Sequence, residues 1–154
     1  MQDIERLLNN VNKLNINDIF YSLWSDNEVQ KYIVKLNTEG ETTSQLYELG
    51  VDAKGKTIGS GNYAPSTIDY KLFGSGDSRI DHITLKDTGK FYDSFKVKPN
   101  KKGFELVANP NKDDDNLFEI YGKEIVGLTK DNQKLLIAFV EEDFNKELER
   151  RLFQ

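Results

Sequence analysis

Asp87 lies within Leu85-Lys86-Asp87-Thr88-Gly89-Lys90, and Asp-Thr-Gly is the tripeptide with which an aspartic protease presents one of its two carboxylates. That chemistry needs two carboxyl groups close enough to share a proton. Lys86 and Lys90 flank the turn, and neighbouring cations lower a carboxyl pKa where a shared proton needs one raised. The chain has no second Asp-Thr-Gly or Asp-Ser-Gly, so this reading requires a homodimer with Asp87 from each copy. The following Phe91-Tyr92-Asp93-Ser94-Phe95 reads as a short helix entering a strand. The turn is therefore read as structural, with the homodimeric protease as the alternative.

Other residue sets that would carry chemistry are incomplete. Counted from Asp113, the run Asp113-Asp114-Asp115 places Asp115 and Glu124 at the third and twelfth positions of a calcium loop. Leu117 then fills a ligand position and Phe118 stands where the tight turn requires glycine, so the run reads as a solvated loop. His82 is the sole histidine, which excludes a multi-histidine centre; its neighbours suggest a ring paired with a carboxylate. Neither Gly59-Ser60-Gly61 nor Gly74-Ser75-Gly76 joins a clear strand to a helix or is followed by Gly-Lys-Ser or Gly-Lys-Thr, so neither is read as a phosphate loop. Without cysteine there is no disulfide, thiolate ligand or thiol nucleophile. These residues suggest no catalytic set, no cofactor and no metal.

The elements that position them follow from periodicity. Ile4, Leu7, Leu8, Val11 and Leu14 recur at helical spacing over residues 3–15, but Asn9, Asn10, Asn12 and Asn15 weaken that helix, and residues 1–24 are read as a candidate docking arm. A second helix starts at Ser25 or Asp26 with Val29, Tyr32, Ile33 and Leu36 on one face. Helical pattern resumes over 42–49, with Gly50 as its C-terminal cap. Residues 51–80 are rich in glycine and turn formers and read as a long interaction loop carrying Tyr63, Pro65 and Lys71. Alternating residues over 94–98 and 104–108 predict a hairpin, and 109–116 a polar loop carrying Asp113, Asp114 and Asp115. Leu135, Leu136, Phe139, Val140, Phe144, Leu148 and Leu152 mark a long amphipathic helix capped by Thr129. The expected fold is α+β in one domain, 1–154: N-terminal helices, a small antiparallel sheet with a hairpin, and a long C-terminal helix packed on the sheet.

Composition limits the partners. The net charge of −5 opposes nonspecific binding to nucleic acid, and the local cluster Lys96, Lys98, Lys101 and Lys102 reads as a solvated hairpin tip. No run approaches the roughly 18 apolar residues of a membrane-spanning helix, and Met1-Gln2-Asp3-Ile4-Glu5-Arg6 lacks the pattern of a signal peptide. The protein is expected to act in the cytoplasm where it is made, or in a particle assembled there.

The order of motifs carries a resemblance. Asp52-Ala53-Lys54-Gly55-Lys56, then Tyr63-Ala64-Pro65-Ser66-Thr67 with Lys71, then Leu85, Thr88, Gly89, Phe91 and Ser94, a hairpin, and Ile125-Val126-Gly127-Leu128-Thr129 before the final helix resemble the phage virion-morphogenesis and tail-completion proteins. The likeness covers about residues 45–153, in a style typical of phages and prophages of Bacteroidetes. The His-x-x-Gly and Pro-Arg-Pro expected before the last turn are replaced by residues 118–124, and the N-terminal arm has no counterpart. The resemblance implies a non-catalytic virion protein of the head–tail junction, assembled in the bacterial host cytoplasm. It implies a six- or twelve-fold ring subunit joining portal or adaptor to tail, in passing contact with genomic DNA and with no membrane. Leu85, Thr88, Gly89, Phe91, Ser94, Gly127, Leu128 and Thr129 then maintain the fold. A prophage-encoded regulatory or inhibitor module is a further alternative.

Overall fold

Four of the helices start where a side chain accepts the first orphan amides. Asn15 accepts from the Asn17 amide, Asp26 from those of Glu28 and Val29, Asn116 from those of Phe118 and Glu119, and Thr129 from that of Asn132. The computed structural model describes residues 1–74 and 77–154, so Ser75 and Gly76 of the second Gly-Ser-Gly triplet lie outside the described residues. Its helices are α1 (Gln2–Lys13), α2 (Ile16–Ser25), α3 (Asn27–Asn37), α4 (Pro65–Phe73), α5 (Lys90–Asp93), α6 (Leu117–Tyr121) and α7 (Lys130–Phe153), with a π-helical turn at Gln45–Leu49. Two antiparallel hairpins pair β1 (Lys96–Asn100) with β2 (Gly103–Val107), and β3 (Asn111–Lys112) with β4 (Asp115–Asn116). The fold is α+β, as the sequence predicts.

Two apolar clusters hold these elements together. In the first, Ile19, Leu23, Val29, Ile33, Leu36, Leu128, Leu136 and Val140 join α2, α3 and α7, and the sheet residues Val97, Phe104 and Leu106 pack against them. Trp24 meets Phe104 edge-on at 5.1 Å between ring centroids, and Phe20 stacks on Phe144 at 5.0 Å. In the second, Leu46, Ile58, Ile83, Phe91, Tyr92, Phe95, Leu117 and Ile125 gather the middle of the chain, and Leu106 borders both clusters.

The structure redraws several expected boundaries. The arm expected over 1–24 is not free throughout: residues 16–25 form α2, whose Ile19 and Leu23 are core residues. Only α1 lies outside, resting on α7 with the Asn10 side chain donating to the Leu152 carbonyl at 2.9 Å. The segment 51–80 is not one loop, because Pro65 opens α4 at its first turn and Gly74 follows its end. The polar loop 109–116 contains the β3–β4 hairpin, turned by Asp113 at φ 51°. The main hairpin sits closer to its turn than the expected strands 94–98 and 104–108: Asn100 pairs with Gly103, leaving Lys101-Lys102 as the turn, while residues 94, 95 and 108 lie outside it. Pro99 is tolerated because each strand of a two-stranded sheet has one free edge. On α7, Leu136 and Val140 are buried, whereas Leu135 and Phe139 stand at the rim, Phe139 stacked on Tyr32 at 4.2 Å.

Candidate functional site

Tyr63, Lys71 and Asp115 come from two segments singled out by sequence, and the fold brings them to one cavity of about 530 Å³. Its floor is apolar, from Ile83, Leu85 and Leu117. One wall is α4, through Ser66, Thr67, Tyr70 and Lys71; the other is the β3–β4 hairpin, through Lys112 and Asp115, with Asp87 and Tyr121 beside it. Its volume lies within the range of small-molecule pockets, and its lining is more polar than theirs.

α4 is held to the body by a cation. Lys71 is its buried residue, and Nζ donates to Asp77 Oδ2 at 2.8 Å and to the Lys86 carbonyl at 3.0 Å while lying 5.0 Å from the Tyr63 ring centre. Burial alone would raise the Asp77 carboxyl; hydrogen bonds from Lys71 and Tyr47, with the charge of Lys71, outweigh it and hold Asp77 below its ordinary value. The Tyr47 hydroxyl donates to Asp77 Oδ1 at 3.0 Å, and its ring lies between Arg79 and Lys86, 5.2 and 5.1 Å away. Burial first, then the hydrogen bond to Asp77, raise Tyr47. Beneath, Thr84 accepts from the Tyr92 hydroxyl through its carbonyl, and its amide donates to the Tyr63 hydroxyl at 2.8 Å. Burial raises Tyr92 and Tyr121, so both phenols stay protonated.

The three lysines around the cavity are paired. Lys86 meets Glu39 at 2.7 Å, and Lys112 meets Asp87 at 2.8 Å. The Asp87 carboxylate, on which the protease reading depends, is thus in an ion pair with a lysine. His82 pairs with Asp81 at 3.0 Å and faces the Tyr47 carbonyl at 2.7 Å. Asp113 and Asp114 stand exposed in the hairpin turn, and no group of three or more acidic or histidine side chains positioned for a metal occurs among the described residues. The arrangement offers both apolar and polar surface to a ligand.

The remaining motif residues shape backbone. Leu85 adopts φ 59°, a strained value for a branched side chain, on the cavity floor. Gly89 at φ 89° precedes α5, where Phe91 is buried and the Ser94 hydroxyl donates to the Phe91 carbonyl and accepts from the Asn109 amide. Thr88 is exposed and its hydroxyl accepts from the Lys90 amide. Pro65 is the first residue of α4. Gly127, Leu128 and Thr129 lead into α7, away from the cavity.

Two features escape the sequence reading. Tyr47, Asp77, Thr84 and Lys86 form the support of the cavity; Tyr47 lies 30 residues before Asp77, and the other three share no recognised spacing. Gly50, Gly55, Lys56 and Thr57 carry the spacing Gly-x-x-x-x-Gly-Lys-Thr of a phosphate loop. The structure does not use it so: a π-helical turn precedes it, a Val51–Thr57 bridge closes it, and no helix begins at Lys56. Asp52 Oδ1 accepts from the Lys54 and Lys56 amides at 2.9 Å each, so the turn closes on the chain's own carboxylate.

Comparison with family models, curated proteins and solved structures finds no match.

Proposed function

We propose that this is a non-catalytic phage virion protein of the head–tail junction, a ring subunit that joins portal or adaptor to tail. The observation that carries the reading is the convergence of two turn-rich segments, 51–80 and 109–116, on one cavity whose lysines are already paired. Such a surface binds a partner without reacting with it. The motif order supports the class of partner, and its residues do turn and capping work, as a structural subunit requires. The lysines at 96, 98, 101 and 102 lie exposed on the β1–β2 hairpin; they protect the free edges of a two-stranded sheet against foreign strands.

Mass spectrometry of purified virions tests the proposal. The protein is expected in stoichiometric amounts with the portal and tail proteins, and its Asp87→Asn variant is expected to be incorporated equally well. Absence from intact particles, or proteolytic processing that stops with Asp87→Asn, would sink it.

A further inference from the structure

The cavity between α4 and the β3–β4 hairpin keeps polar groups that the chain itself does not use. Its lysines are spent: Lys71, Lys86 and Lys112 are each held by a carboxylate, at 2.8, 2.7 and 2.8 Å. Asn62, Ser66, Thr67, Tyr70, Asp115 and Tyr121 also line it, and their side chains make no hydrogen bond or ion pair among the described residues. The Tyr121 phenol is the clearest of these. Burial raises it, so it stays protonated, and a phenol covered by protein ordinarily finds a partner. The floor is strained as well: Leu85 is one of two non-glycine residues with positive φ among the described residues, the other being Asp113 in the turn of the hairpin wall. Backbone strain of this kind gathers at ligand sites.

The distribution of these groups selects a class of ligand. With its lysines paired, the cavity has no spare cation for a phosphate or a carboxylate, and the unpaired Asp115 repels both. An aliphatic ligand would leave the polar walls without partners. The walls are mostly hydroxyls, which donate and accept equally, so they match a ligand whose own polar groups are hydroxyls. A carboxylate only accepts, and its two oxygens can take two such hydroxyls at once. The floor of Ile83, Leu85 and Leu117 has no polar side-chain atom. A pyranose ring has the same division, with C–H groups on its faces and hydroxyls around its rim. A nucleobase is also flat, but its edge presents fixed donors and acceptors, for which the unpartnered wall groups supply only Asn62 as a donor–acceptor pair.

We infer that the α4/β3–β4 cavity binds a neutral saccharide, its ring face on Ile83, Leu85 and Leu117 and its hydroxyls bonded to Thr67, Tyr121 and Asp115. The inference concerns the cavity alone and does not rest on the ring-subunit reading: incorporation into virions decides that reading, and sugar binding decides this one.

Titration of the nitrogen-15-labelled full chain with glucose, galactose, mannose, N-acetylglucosamine, maltotriose and chitotriose tests it, with inorganic phosphate and uridine titrated alongside. At least one sugar is expected to give saturable amide shifts confined to α4, residues 83–87 and the β3–β4 hairpin, with a Kd of about 1 mM or tighter. Tyr121→Phe removes one hydroxyl and is expected to weaken binding about fivefold, the scale of one hydrogen bond; Asp115→Ala removes a charged acceptor and is expected to cost about tenfold. Thr67→Trp fills the cavity and is expected to abolish the shifts, its own amide spectrum showing that it remains folded. Absence of saturable shifts with every sugar, shifts that spread beyond the cavity or survive Thr67→Trp, wild-type affinity in both Tyr121→Phe and Asp115→Ala, or tighter binding of phosphate or uridine than of any sugar would overturn the assignment.

Discussion

Lys71 is the buried residue of α4, with 4 % of its side chain exposed against 6 % for Asp77. A buried charge is costly unless its partner stays in place, so removing one member of such a pair destabilises by about 3–5 kcal/mol, while replacing both by apolar groups is often neutral. Lys71→Ala is therefore expected to free α4 and open the cavity, read as faster amide exchange across Pro65–Phe73 with α7 unchanged. The double variant Lys71→Met/Asp77→Leu is expected to restore most of that protection. Sequence singles out Lys71 as a surface contact; its burial depends on Tyr47, Tyr63 and Asp77, which only the folded chain assembles around it.

At the scale of elements, α4 is the part whose attachment should respond to acid. The Asp77 carboxyl is lower in the folded protein than in the unfolded chain. Its contribution is then complete above the unfolded value, near pH 4, and is lost as pH falls through the folded value. The α4 amide resonances are expected to lose their folded positions as the solution is acidified below about pH 4, before those of α7, and Lys71→Met/Asp77→Leu should lack that step. A double variant that releases α4 at the same pH as wild type would assign the effect to other carboxylates. The start of α4 was legible, since Pro65 and Gly74 are ordinary helix punctuation. It was masked by glycines at 55, 59 and 61, which serve turns with positive φ just before it.

Across the whole molecule, a polar clasp joins the two apolar clusters. Asn37 donates to the Ile125 carbonyl and accepts from the Gly127 amide; Gln45 donates to the Gly127 carbonyl and accepts from the Thr129 amide; Asn132 donates to Gln45 and to the Leu36 and Thr43 carbonyls. Asn37, Gln45 and Asn132 are almost fully buried, and no buried side-chain polar atom lacks a partner among the described residues. Asn37→Ala strands two buried backbone groups, at a cost of roughly 2–4 kcal/mol, and cuts one tie between the clusters. Trp24, the sole tryptophan, packs with the first cluster, so its fluorescence reports that cluster alone. In denaturant the wild type is expected to show coincident tryptophan and near-ultraviolet tyrosine transitions. In Asn37→Ala the tyrosine transition, which includes Tyr92 of the second cluster, is expected to shift to lower denaturant. Coincident, unshifted curves in the variant would mean that the clasp does not couple the clusters.

The sequence by itself determined the α+β class, the Thr129 cap, the Gly50 stop, the main hairpin and the final helix, and narrowed the cap of α3 to Ser25 or Asp26. Each is set by residues within a few positions of one another, through side chain-to-amide bonds or the period of apolar residues. Tertiary structure alone decided that α2 is core, that Tyr63, Lys71 and Asp115 face one cavity, and that Asp87 pairs with Lys112. It also decided that a phosphate-loop spacing closes on Asp52 and that an amphipathic α1 remains uncovered. Those outcomes depend on contacts between distant segments, and local spacing records which face of an element is apolar without recording what will cover it.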